Sequence, residues 1–344
     1  MSAPGFRLAS GGWSSPPSPQ HLDRLTEATA SAAGDRDREW ASVAEMGAWV
    51  GVLEPGTASH FTASLAAVAS VDLTVARMLE PHLDALGILT QAGSPAPHDS
   101  TWGVFAAEAP GATLEADDAG TLTGRKAWCS LAGELSHALV TARTSSGARG
   151  LYAVDLRLPG VRVHDADGWA AKGLPRVPST PVDFDAVPAS RVGAPGWYLE
   201  RPGFALGGIG VAACWWGGAA GLVRDLAAHV EKRRDSELAL LALGEAYAEL
   251  MAAENAVATA AATIDRGDVP AGQETLLAQL TRSSVRASAD RIRAVTVATI
   301  GPAALAFRPD HAQRVADLEL YTAQDHGRRD LARLGRLVLD GRPW

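Results

Sequence analysis

The sequence predicts an α+β multidomain fold in which an N-terminal α-helical domain is followed by a middle β-barrel and a C-terminal four-helix bundle. Three observations predict it. Apolar residues recur at helical spacing from His21 to about Gln91. They fall into short alternating runs between turn residues from about Ser100 to Gly193. From Phe204 onward alanine and leucine dominate again, with helix punctuation. The boundaries that follow are 1–20 for a mobile tail, 21–97 for the helical domain, 98–200 for the β-domain and 201–344 for the bundle.

In chain order, MSAPGFRLASGGWSSPPSPQ carries one arginine and no apolar run, so it lacks the form of a signal peptide. LDRLTEATASAA and FTASLAAVASVDLTVARMLEPHLDALGIL read as helices. Glu80 and His82 flank Pro81, share no helix face and read as helix-end residues. TWGVFAAEA, TLTGRKAW, ALVTART, GLYAVDL, VRVHD and TPVDFDAV read as strands. Phe204 to Val223 holds twenty uncharged residues, long enough to cross a bilayer, but its six glycines and the amphipathic sequence beyond it favour a buried helix. Gly208 to Ala213 matches a GxGxxA dinucleotide pattern without a preceding strand, so it is read as helix packing, with Gly217 and Gly221 allowing close approach. Trp215 and Trp216 are expected in the core or at a subunit interface. RGDVPAG at 266–272 and FRPDH at 307–311 divide the remainder into four long helices.

Composition narrows the function classes. With 47% hydrophobic and 20% charged residues, the 344-residue chain is globular rather than disordered. Thirty-one basic against 39 acidic residues argue against an extended nucleic-acid face. Cys129 and Cys214 are the only cysteines, with no CxxC and no His/Cys ligand spacing, so neither a disulfide framework nor a metal site is indicated, and a reducing cytoplasm fits best. His60, His137, His164, His229 and His311 stand singly, without triad or ligand spacing.

The richest segment runs from FAAEAPGA to LTGRKAWCSLAGELSHALVTAR, with Trp128, Cys129 and Ser130 side by side. It resembles the middle β-domain of the acyl-CoA dehydrogenases, whose strands lay a Trp and a Ser or Thr against the flavin ring. The closing strands with Phe184, Val187 and Pro188, the helix GGAAGLVRDLAAHVEKRR, and Ile300, Gly301 and Pro302 follow that family's order, so the resemblance covers nearly all of the chain after the first twenty residues. It implies FAD as cofactor, with Phe105, Glu108, Trp128, Cys129 and Ser130 on the β-domain, Arg233 at the pyrophosphate of a neighbouring subunit and Gly301 near the adenine. Trp128 would form a flat wall against the ring, Ser130 would serve its N5 and O4 edge, and a guanidinium fork suits a pyrophosphate.

The resemblance further implies α,β-dehydrogenation of an acyl thioester such as an acyl-CoA, with hydride passing to flavin N5 and onward to an electron acceptor. A carboxylate made basic by desolvation takes the α proton in that chemistry. In the last segment, ADLELYTAQDHGRRDLARLGRLVL, His326 stands in the place of the family's Glu, with Asp325 or Asp330 beside it to orient the ring. The family's Thr-Glu-Pro is here Glu108-Ala109-Pro110. These departures keep two alternatives in play: a catalytically silent or partner-dependent flavin-binding subunit, and a flavin-dependent monooxygenase on the same fold. The assembly implied is a homodimer or homotetramer, or a heteromer with a related subunit, without a membrane span.

Overall fold

Ser18 starts the first helix: its hydroxyl accepts the His21 N–H at 3.2 Å, and Pro19 supplies the preset φ of a first helical residue. In the computed structural model, which describes residues 5–341, α1 (Pro19–Ala32) is followed by α2 (Arg36–Val50), capped by Asp35, and α3 (Ala58–Val71). Then come α4 (Leu73–Gln91), β1 (Trp102–Phe105), β2 (Leu114–Ala116), β3 (Thr121–Ser130), β4 (His137–Thr144), β5 (Arg149–Asp155), β6 (Val161–Val163), β7 (Ser179–Pro188) and β8 (Ser190–Arg191). The helices α5 (Trp197–Glu200), α6 (Pro202–Val230), α7 (Glu237–Asp265), α8 (Glu274–Ile300), α9 (Pro302–Phe307), α10 (Pro309–Thr322) and α11 (Arg328–Gly341) complete the chain. The order of helices, strands and helices is the α+β arrangement that the sequence predicts. Three of the C-terminal helices are long, α6 and α7 at 29 residues and α8 at 27, and α10 and α11 follow at 14 each.

Contacts divide the chain into two units. The first contains residues 1–76, 171–174 and 205–344. Twelve of the fourteen residues of α3 are buried, which matches its run of small and apolar residues. α6 lies so close to α3 that a Cβ on Gly217 would stand 2.2 Å from the Ala66 carbonyl oxygen, and one on Gly221 2.9 Å from that of Ser70. Only glycine permits that approach. The segment 203–233 is long and apolar enough to cross a membrane, but 72% of its most apolar stretch is buried within the protein, as in a core helix.

Trp215 and Trp216 belong to this interior rather than to a subunit interface. Trp216 receives Phe6 edge-on at 5.2 Å and Trp13 at 5.9 Å, while Trp215 meets Tyr321 at 6.2 Å. Residues 5–18 are likewise not a free tail. One oxygen of the buried Glu254 accepts the Ala9 and Ser10 N–H groups at 2.8 Å each and Trp13 Nε1–H at 3.1 Å, and Arg7 pairs with Asp23. The first four residues of the expected tail lie outside those described.

The second unit contains residues 77–170 and 175–204. Its eight strands form one sheet in the order β6-β7-β3-β2-β4-β5-β8, with β1 pairing in parallel with β4. The sheet curls into a half-barrel whose path runs from β6 to β8, in the place where the sequence predicts the middle β-domain. Ala85, Ile88 and Leu89 of α4 pack on Trp102, Leu139, Leu151 and Tyr198. α4 also runs through Pro81, which places Glu80 and His82 within a helix rather than at its end.

Candidate functional site

The site begins with a fault in a strand ladder. β3 and β7 pair antiparallel, but the register slips between Lys126 and Cys129, leaving Ala127 and Trp128 as a bulge. Trp128 has φ 59°, in the left-handed region that a bulky residue avoids, and 56% of its surface is exposed. A large aromatic held out of the core by strained backbone is the arrangement expected of a ligand wall. Leu131 has φ 59° as well, and its N–H donates to the Pro178 carbonyl at 2.9 Å, which closes the bulged segment onto β7.

Pairing resumes at Cys129, opposite Thr180, and continues to Ser130, opposite Ser179, where the two hydroxyl oxygens stand 2.7 Å apart. Arg77 of α4 donates an Nη2–H to Ser130 Oγ at 3.4 Å, and its Nη1 is 3.3 Å from Glu80. The Arg77 and Glu80 side chains are 11% and 8% exposed, so this ion pair is largely removed from water. One exposed indole, two facing hydroxyls and a buried guanidinium thus share a short stretch of the second unit.

Cys129 faces away from this group. It is buried, its thiol directed at the Lys126 and Ala127 carbonyls, and burial pushes its pKa up to about 12. Phe105 is also a core residue. Glu108 is half exposed and serves as an ion-pair partner: Lys126 Nζ donates to it at 3.0 Å and to Thr141 Oγ1 at 2.8 Å, with Arg149 3.5 Å from the same carboxylate. Burial lowers the Lys126 pKa, against the opposing pull of Glu108.

The other candidates lie in the first unit. Arg233, in a single 3₁₀ turn after α6, bonds the imidazole of His229. The His229 pKa is lowered first by burial and then by Arg233, Arg308, Lys232 and His311, so several positive charges gather there. Gly301 caps α8 with φ 85° and open space around it. The His326 side chain is 69% exposed; its backbone N–H donates to Asp330 at 3.0 Å, and the ring stands 3.8 Å from that carboxylate. Asp325 is only 3% exposed: Oδ1 accepts from Arg286 at 3.0 Å and from the Gly327 N–H at 2.7 Å, whereas Oδ2 is buried without a hydrogen-bond partner. His311, single in sequence, is paired with Asp225 at 2.9 Å.

Sequence reasoning missed Arg77, Ser179 and Lys126 and set Glu80 aside. Ser179 carried a faint signal, since it immediately precedes the run TPVDFDAV; Arg77 reaches Ser130 only through the docking of α4. A cavity of about 650 Å³ in the first unit, lined by Phe6, Trp216, Val223, Leu243, Met251 and Glu254 among others, contains none of the candidates. Among the described residues no cluster of three or more His, Cys, Asp or Glu is placed to hold a metal.

No protein-family model matches the sequence, and no curated protein matches it. Solved structures do. TdsC from Paenibacillus sp. A11-2, in its complex with FMN and indole, is 17% identical with a TM-score of 0.79, covering 94% of this chain and 96% of its own. KijD3 in complex with FMN and an amino-keto dTDP-sugar is 19% identical with a TM-score of 0.73, covering 94% and 91%. A steroid acyl-CoA dehydrogenase variant, Tcur3481-Tcur3483, is 19% identical with a TM-score of 0.71, covering 94% and 99%. Similarity at this level of identity establishes architecture: the chain has the α+β fold shared by acyl-CoA dehydrogenase-like flavoproteins.

Proposed function

We propose that this chain binds a flavin and acts as a flavin-dependent oxidoreductase, with monooxygenation as its reaction. The observation that carries the cofactor reading is the bulge at Trp128, which exposes an indole at φ 59° beside the Ser130 hydroxyl. The residues fit the group: in the second unit Trp128 supplies a flat face and Ser130 a hydroxyl for the N5 and O4 edge, and Arg233 with its cationic neighbours offers a place for the phosphate of a neighbouring subunit's cofactor. When bound, the flavin supplies hydride and oxygen chemistry, whereas the chain's own residues orient the ring and shield it from water. Structures of the same fold hold FMN, so FMN stands beside FAD as the candidate.

Monooxygenation is favoured over dehydrogenation because His326 is exposed and bound to Asp330, which leaves it without the desolvation that gives the dehydrogenase base its strength. TdsC, of the same fold, is a dibenzothiophene monooxygenase. Asp325 supports a second reading, dehydrogenation of an acyl thioester: Oδ2 is buried and carries an uncommitted lone pair, as a base requires. Exposed Leu238, Leu241, Tyr247 and Leu280 on α7 and α8 support self-association.

One spectroscopic series tests these readings. The purified chain is expected to take up FMN or FAD and to keep its colour when acyl-CoA thioesters are added without oxygen; after chemical reduction it reacts rapidly with oxygen. Bleaching by a thioester that is lost in Asp325→Asn would replace the monooxygenase reading with the second. Failure to bind either flavin would overturn both.

A further inference from the structure

We infer that Arg77 is a positioning residue that fixes the direction of the Ser130 hydroxyl, making it a donor toward whatever lies against Trp128. The inference rests on the flavin reading and deepens it. A serine hydroxyl has one proton to give and two lone pairs to fill. Arg77 can only donate, and it remains protonated at any working pH, so its Nη2–H permanently engages one lone pair of Ser130 Oγ at 3.4 Å. Glu80 at 3.3 Å holds the guanidinium in place in a setting largely closed to water, where a charged donor counts for more.

Ser179 can fill the second lone pair. Its oxygen lies 2.7 Å from Ser130 Oγ, where either hydroxyl can donate, and 3.5 Å from the Val177 carbonyl, so its proton can go to Ser130 at the shorter distance when Ser130 turns outward. Arg77 closes one lone pair to any other donor, and when Ser179 donates inward as well, the Ser130 proton has one remaining direction, toward the ligand. N5 and O4 of an oxidised flavin are both acceptors. A hydroxyl with its lone pairs presented outward would repel them, whereas one locked as a donor binds them. The motif around Trp128 supplies the hydroxyl, and a residue on a different element decides which way it points.

The test uses the full chain reconstituted with flavin labelled with ¹⁵N at N5, whose resonance moves upfield when N5 accepts a hydrogen bond. Ser130→Ala is expected to move that resonance downfield. Arg77→Met combined with Glu80→Gln, which removes both partners of the ion pair together, is expected to move it in the same direction and to weaken flavin binding by roughly tenfold, the scale of one charge-assisted hydrogen bond. Arg77→Lys, which keeps a cationic donor, should restore most of the upfield position. If Ser130→Ala moves the resonance while the double variant leaves it at the wild-type position, Arg77 does not set the hydroxyl and the inference fails with the flavin reading intact. A double variant that loses thermal stability without moving N5 overturns the inference in the same way and leaves Arg77 a purely structural role. If Ser130→Ala leaves N5 unmoved, the flavin does not meet this strand as proposed, and both readings fall.

Discussion

Trp128 is placed for a task other than stability. A tryptophan in a protein core typically contributes about 3–5 kcal/mol relative to a truncated side chain. Trp128 is more than half exposed and sits where a non-glycine residue is strained by about 1–2 kcal/mol. Trp128→Gly should therefore leave the unfolding free energy within about 1 kcal/mol of the wild-type value, because relief of strain offsets lost contacts and the added freedom of the unfolded chain. The same change should weaken flavin binding by roughly tenfold or more, as expected for a lost stacking face. A stability loss of about 3 kcal/mol or more in urea titration would return Trp128 to the core.

His82 makes a residue-scale prediction of a different kind. It is buried, its Nδ1 has no hydrogen-bond partner, and burial lowers its pKa from 6.5 to about 4. Above pH 6.5 the ring is neutral in both folded and unfolded chains and has no effect on their balance. Between pH 6.5 and 4 the unfolded chain gains a proton that the folded chain refuses, so stability falls as the pH drops, by about 3 kcal/mol in all, and levels off below pH 4. Urea unfolding at pH 7 and pH 4.5 should show this loss in the wild type and a smaller one in His82→Gln. Equal slopes in the two proteins would show that His82 titrates normally.

At the scale of elements, the N-terminal segment is held to α7 chiefly by Glu254, with Ser14 Oγ donating to Asp265 at 3.2 Å further along. Glu254 takes three N–H donors on a single oxygen, from Ala9, Ser10 and Trp13. Glu254→Ala would leave all three unpaired, at a cost of about 2–4 kcal/mol. Limited trypsin digestion is expected to cleave after Arg7 much faster in that variant. Unchanged cleavage would mean that the remaining contacts, Phe6 and Trp13 on Trp216 and Arg7 with Asp23, anchor the segment without Glu254. The prolines and glycines of the first twenty residues concealed this anchoring, because its partner is more than 240 residues away. Strand positions were legible for the opposite reason: alternation and turn residues are local. β2 and β8, at three and two residues, were too short to carry a pattern.

For the whole molecule, the order of helices, sheet and helices was legible because each block has its own periodicity over many residues. The site was legible only in part. Trp128 and Ser130 announce themselves in neighbouring positions, whereas Arg77, Ser179 and the Lys126–Glu108 pair come together through pairing and docking that no local window contains. The curl of the sheet into a half-barrel was less legible, because alternation fixes which face a residue takes, not how far the first and last strands of a sheet approach one another.

The first unit is assembled from the two ends of the chain, with nearly all of the second unit inserted between them. α3, buried on almost every side, leaves the ribosome long before α6 and α7 exist to cover it. The inserted sheet, by contrast, is synthesised without interruption apart from four residues, and can fold while α3 waits. A nascent chain stopped ahead of α6 would therefore display a complete β unit and an apolar helix covered by α1 and α2 but bare on the faces that α6 and α7 later cover, the form of surface that chaperones hold.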